Sequence, residues 1–189
     1  MFTLHLKKLY HKFSFLLILK RLYGINKIMS EQKESLESTT EAPQSKEELL
    51  KEARIWVVDD EEIIRVLVEK ILRLKGCSDI SVFPDGQNAL EEYQRKIKGK
   101  ELLPDLIVSD FNMSRLNGDE LCEKIKSVSE KESIEPPIFI IASGRTSLIT
   151  GENKKRLLEK GVSDTLRKPF TIQQLEKAVV EDLEGRPQK

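Results

Sequence analysis

Asp110 ends a short apolar run, Leu106-Ile107-Val108-Ser109, and three other strand-like segments also end on residues that could do chemistry. Asp59 and Asp60 follow Ile55-Trp56-Val57-Val58. Ser143 follows Ile138-Phe139-Ile140-Ile141-Ala142, and Lys168-Pro169-Phe170 follows Thr165-Leu166-Arg167. Each sits where a buried strand would stop. In an open α/β sheet the carboxyl ends of parallel strands converge on one crevice, so these endings would gather three carboxylates, a hydroxyl and an ammonium. Such a set suits Mg²⁺ and a phosphoryl group. Three carboxylates at one point repel by about 4 kcal/mol per pair at roughly 4 Å and an effective dielectric near 20. Unaided, one of them would take up a proton and cease to be a nucleophile.

The elements that must position these residues are legible as alternating patterns. From Arg54 onward strand-like runs alternate with helical ones. A helix over residues 62–75 places Ile64, Leu67, Val68, Ile71 and Leu72 on one face and stops at Gly76. A strand over 80–83 leads through Pro84-Asp85-Gly86 into a helix bearing Ala89, Leu90, Tyr93 and Ile97, ended by Gly99. Asn117-Gly118 precedes a third helix with Leu121, Cys122, Ile125 and Val128; a fourth carries Leu157 and Leu158 and stops at Gly161. The last opens on Thr171-Ile172-Gln173-Gln174, the spacing of a capping box, and shows Ile172, Leu175, Val179 and Leu183 at helical intervals. Five β/α alternations predict an α/β domain with a parallel sheet and helices on both faces.

Composition sets limits. A chain of 189 residues, 39% hydrophobic, supports one domain with tails. Its 32 Lys and Arg balance 32 Asp and Glu, so no global field draws it to nucleic acid. Cys77 and Cys122 lack the spacing of a redox or zinc site and read as buried reduced thiols. Both histidines, His5 and His11, precede the patterned region, which excludes Ser-His-Asp or Cys-His catalysis there. Residues 1–29 are basic and apolar, and the run at 13–19 is too short for a membrane span, which needs about 20 residues. They read as a mis-assigned start ahead of Met29, with a signal peptide or a membrane-surface helix as the other options, and no stable membrane insertion is expected. Residues 30–52 read as a polar disordered leader in which Leu49-Leu50 could give one short helix, marginal by itself. The domain is expected over 53–184, with a tail at 185–189 and no output domain after it.

The motifs Val57-Val58-Asp59-Asp60-Glu61, Asp110-Phe111-Asn112-Met113 with Gly118, Ser143-Gly144 and Lys168-Pro169-Phe170 together resemble the receiver domain of two-component response regulators, over about residues 54–183. The resemblance implies a flavodoxin-like, doubly wound five-stranded sheet in the order 2-1-3-4-5. It also implies that Asp110 accepts a phosphoryl group from a phosphohistidine. Mg²⁺ suits the hard oxygens, so Asp60, Asp110 and the backbone carbonyl of Asn112 are the expected ligands, with Asp59 acting mainly through a bound water. Catalysis of phosphoryl transfer is mostly positioning and charge neutralisation. Lys168 supplies a cation opposite the metal and Ser143 a hydroxyl to a phosphoryl oxygen, while Gly144 lets a backbone N–H approach. Gly118 reads as a turn glycine.

Two residues depart from the family's pattern. Ser114 stands where proline is usual, and Thr165 where an aromatic ring is common, which leaves no bulky ring to swing in step with Ser143. Asn112 and Arg145 occupy positions that in the family tune phosphoryl lifetime.

Other phosphate and metal chemistries fit less well. An EF-hand starting at Asp110 would need Gly where Arg115 stands and Glu where Leu121 stands, and there is no GxxxxGK[ST] loop. A phosphatase forming an aspartyl-phosphate stays open on chemistry alone, but no general acid is evident. The expectation is therefore a stand-alone cytoplasmic phosphoacceptor that assists its own phosphorylation and dephosphorylation without being an enzyme in the ordinary sense. Its partners would be a histidine kinase or histidine phosphotransfer protein and a downstream protein. A binding module that keeps only the fold is the competing expectation, and it would need none of Asp59, Asp60, Asp110, Ser143 and Lys168.

Overall fold

The computed structural model of the chain describes residues 44–185; the expectations for 1–29, for most of the leader and for the last residues lie outside them. Helix α1 (Gln44–Glu52) leads into strand β1 (Arg54–Val58), followed by α2 (Glu62–Leu74), β2 (Asp79–Phe83), α3 (Gly86–Gly99) and β3 (Leu106–Asp110). The second half runs α4 (Gly118–Lys131), β4 (Ile138–Ser143), a 3₁₀ turn (Thr146–Leu148), α5 (Gly151–Lys160), β5 (Asp164–Arg167) and α6 (Ile172–Glu184). The five strands are parallel in the order β2-β1-β3-β4-β5, the arrangement expected from the sequence.

The central strands β1, β3 and β4 are buried almost throughout because helices cover both faces. Alternation along each strand sends Trp56, Val58, Ile107, Phe139 and Ile141 into one core with Ala89 and Tyr93 of α3, Leu121 and Ile125 of α4 and Leu157 of α5. Trp56 stacks at a tilt on Phe83, 4.6 Å between ring centroids, and meets Tyr93 edge-on at 6.1 Å. The opposite side chains, Ile55, Val57, Leu106, Val108 and Ile140, are equally buried, as are the apolar stripes of α2 (Leu67, Val68, Ile71, Leu72) and α6 (Leu175, Val179, Leu183). Capping follows the sequence at α6, where Thr171 accepts from the Gln174 amide and Gln174 returns a bond to the Thr171 amide.

Two expectations need correction. The stretch read as disordered leader to residue 52 contains α1, so the domain begins at about residue 44. Leu50 is 3% exposed, Ala53 5%, and the Ser78 hydroxyl donates to the Lys51 carbonyl at 2.9 Å, tying the helix end to the α2–β2 loop. The short helix is held by packing against the domain, which an isolated peptide lacks. At the end of α3 it is Lys100, with φ 53°, that takes the left-handed cap; Gly99 remains helical.

Candidate functional site

Strand register sets the site. Val58 lies beside Ser109 and Asp110 beside Ala142, so Asp59, one residue past β1, comes level with Asp110 at the end of β3. Ser143 lies beside Arg167, and the Lys168 amide donates to the Ser143 carbonyl at 2.9 Å, carrying the ladder one step further and delivering Lys168 to the same edge. The Lys168 side chain reaches inward to donate to Asp59 Oδ2 and to Asp110 Oδ1. Residues 109 and 58 positions apart thus meet at one ammonium.

The other carboxylate oxygens are held by backbone. Asp59 Oδ1 accepts from the Glu61 amide at 2.9 Å, and Asp110 Oδ2 from the Asn112 amide at 2.7 Å. Asp59 is 3% exposed. Burial pushes its carboxyl up from the usual range, more than the Lys168 contact and the Glu61 amide pull it down. Burial works against the Lys168 charge as well, but the bonds to Asp110 and Asp59 outweigh it, and the net direction is up.

The remaining expected residues sit nearby in different states. Asp60 is exposed and forms no hydrogen bond or ion pair with the described residues. Ser143 is 1% exposed, and its hydroxyl oxygen accepts from the Arg145 amide at 3.1 Å, so it is turned to its own loop. Among the described residues no three acids, cysteines or histidines are close enough together to hold a metal ion. The donor set still fits Mg²⁺, which keeps waters and takes only one or two carboxylates, unlike ions that need a full protein cage.

Several supporting residues had no clear signal in the sequence. Gly118, read as a turn glycine, has a stricter role: a Cβ there would fall 2.2 Å from the Asp110 carbonyl oxygen and 3.0 Å from Ser109 Oγ. Its amide donates to the Phe111 carbonyl at 2.9 Å, which closes the loop after β3. That loop, with Ser114 in place of proline, is also tied by Asn117 Oδ1 to the Met113 amide at 3.2 Å, and by Arg115 to Asn88 at 2.9 Å and Asp85 at 3.3 Å. Arg65 donates to the Asp59 carbonyl at 2.6 Å and fixes the acidic turn from the first part of α2. Thr165 donates to the Ile149 carbonyl at 3.3 Å, joining β5 to the loop after Ser143.

Comparison with known proteins agrees with this fold. The response regulator receiver domain family matches residues 55–180. The chain belongs to that family, whose members are phosphoryl-accepting signalling domains of two-component systems. It is 34% identical over 128 residues to a probable transcriptional regulator, ycf27, of Porphyridium aerugineum, covering 67% of this chain and 46% of the relative. A chemotaxis protein CheY homolog of Campylobacter jejuni is 28% identical over 134 residues, covering 70% and 92%. Among solved structures, the receiver domain of Francisella response regulator 1452 superposes with a TM-score of 0.55 at 30% identity, over 70% of this chain and 97% of that one. The receiver domain of the Arabidopsis thaliana histidine kinase CKI1, complexed with Mg²⁺ and BeF₃⁻, superposes with a TM-score of 0.61 at 23% identity, over 75% and 96%, and shares the fold. The chain spans less than half the length of several of the curated relatives it matches.

Proposed function

We propose that Asp110 is the phosphoacceptor of this receiver, charged by a histidine kinase or histidine phosphotransfer protein in the cytoplasm, and that the change is read by a separate downstream protein. The observation that carries this reading is the convergence of Asp59, Asp110 and Lys168 at the carboxyl edge of the sheet. An oxygen of Asp110 attacks phosphorus, the P–N bond of the donor breaks, and its electron pair leaves with the imidazole nitrogen. Lys168 already touches the attacking carboxylate and is placed to follow the charge onto the transferred oxygens. Ser143 accepts from the Arg145 amide and keeps its own O–H to donate to a phosphoryl oxygen, which ties the loop that follows it to the transferred group.

Asp60, Asp110 and the Asn112 carbonyl would hold Mg²⁺, with Asp59 beside it; the ion supplies neutralisation of charge on the phosphoryl oxygens. A CheY homolog and a Mg²⁺–BeF₃⁻ receiver structure among the similar proteins support the assignment. The test is incubation with acetyl phosphate read on a phosphate-retarding gel. Labelling should be lost in Asp110→Asn and on chelation of divalent ions; normal labelling of Asp110→Asn would refute Asp110 as acceptor.

A further inference from the structure

A cleft between α4 and α5 takes no part in the site described above. Phe111, Leu148 and Leu157 form its apolar walls, and it encloses about 160 Å³, below the roughly 300 Å³ of a drug-sized pocket and fit for one side chain. Its rim is polar and, with one exception, already paired. Lys160 contacts Asp119 at 2.8 Å and Glu123 at 3.3 Å, and the Asn153 amide group donates to the Ser147 carbonyl at 2.8 Å. Arg156 is the exception: it lines the cleft, is exposed, and no carboxylate among the described residues pairs with it. The open charge of the cleft is therefore a guanidinium beside an apolar wall, a complement to a carboxylate next to an apolar side chain.

We propose that this cleft binds an acidic–apolar segment of a partner protein. An apolar side chain enters between Phe111, Leu148 and Leu157, and the neighbouring Asp or Glu forms a forked pair with Arg156. The position gives the contact a regulatory meaning. Phe111 follows Asp110 directly and donates its amide to the Ala142 carbonyl at 2.9 Å, while Leu148 ends the 3₁₀ turn after Ser143. Movement of either loop reshapes the walls, so occupancy and the state of Asp110 must affect each other by the same factor. This coupling rests on the proposed phosphorylation of Asp110; the binding does not.

Selection of displayed random peptides on the full chain, with counter-selection on Arg156→Glu, tests the proposal. The clones expected carry an apolar residue next to Asp or Glu and bind Arg156→Glu about ten-fold or more weakly. They bind Lys155→Glu, altered at an exposed lysine paired with Glu152 alone among the described residues, within about two-fold. Clones without that pattern, or indifferent to Arg156→Glu, overturn it. Tighter peptide binding after Glu31, Glu34, Glu37 and Glu41 are replaced by Gln would assign the cleft to the chain's own acidic stretch and overturn a partner as occupant. Selected peptides that dissociate a dimer of the chain in sedimentation would do the same in favour of a second copy. Beryllofluoride with Mg²⁺ should then change peptide affinity in the wild type and leave Asp110→Asn unmoved. Peptide binding that ignores beryllofluoride in the wild type overturns the coupling and supports the cleft alone. An equal response in Asp110→Asn counts against Asp110 as acceptor while the Arg156 dependence still supports the cleft.

Discussion

Two carboxylates hold the Lys168 charge against its burial, while at Asp59 burial outweighs the help that Lys168 gives and raises the carboxyl above its ordinary range. For an acid, a folded-state pKa above the unfolded value means that the native state holds the proton more tightly than the unfolded chain. The contribution of Asp59 is then most favourable below its ordinary pKa of 3.8 and is lost as pH rises through the raised folded value. In Mg²⁺-free buffer Asp59→Asn should therefore be more stable than wild type at neutral pH, and the gap should close toward about pH 4. Urea melts across that range decide it: a gap that is absent at neutrality, or that widens on acidification, contradicts the sign. Asp59, Asp110 and Ser143 were legible because each follows an apolar run, and Lys168 because it follows a fifth strand-like segment. The hydroxyl of Ser143 turned toward Arg145, the reach of Arg65 to the Asp59 carbonyl and the clearance needed at Gly118 were not, since each depends on chain segments brought together only by the sheet.

At the scale of elements, periodicity and caps marked five helices and five strands close to where they lie, since buried strands and amphipathic stripes write their period into the sequence. Helix α1 was underrated because two adjacent leucines cannot show which neighbour will cover them. With Leu50 buried and the Lys51 carbonyl bonded to Ser78, the helix belongs to the domain. Leu50→Ala should cost about 2–4 kcal/mol in chemical unfolding, the range for a leucine lost from a packed site. A chain beginning at residue 53 should melt well below one beginning at residue 43, and equal midpoints would show that α1 adds nothing. Thr165 belongs to the same scale: its bond to Ile149 joins the edge strand to the loop after Ser143.

For the molecule as a whole, Cys77 and Cys122 provide a measure of how openly it breathes. Both are buried free thiols, held by burial at about 11 and about 12, so neither presents thiolate at neutral pH. They lie on different elements, Cys77 after α2 and Cys122 inside α4. Reaction of both with a disulfide reagent such as DTNB should be slow in native buffer and should accelerate together through the denaturant transition; fast labelling of one alone would reveal a locally unstable region. Trp56 adds a second consequence. It is the single tryptophan of the chain, 3% exposed, held between Phe83 and Tyr93 on the strand that delivers Asp59. Its light is therefore a built-in gauge of the sheet: short-wavelength emission that iodide cannot quench while the strands are paired, and a red shift when they part, readable without any label attached to the protein.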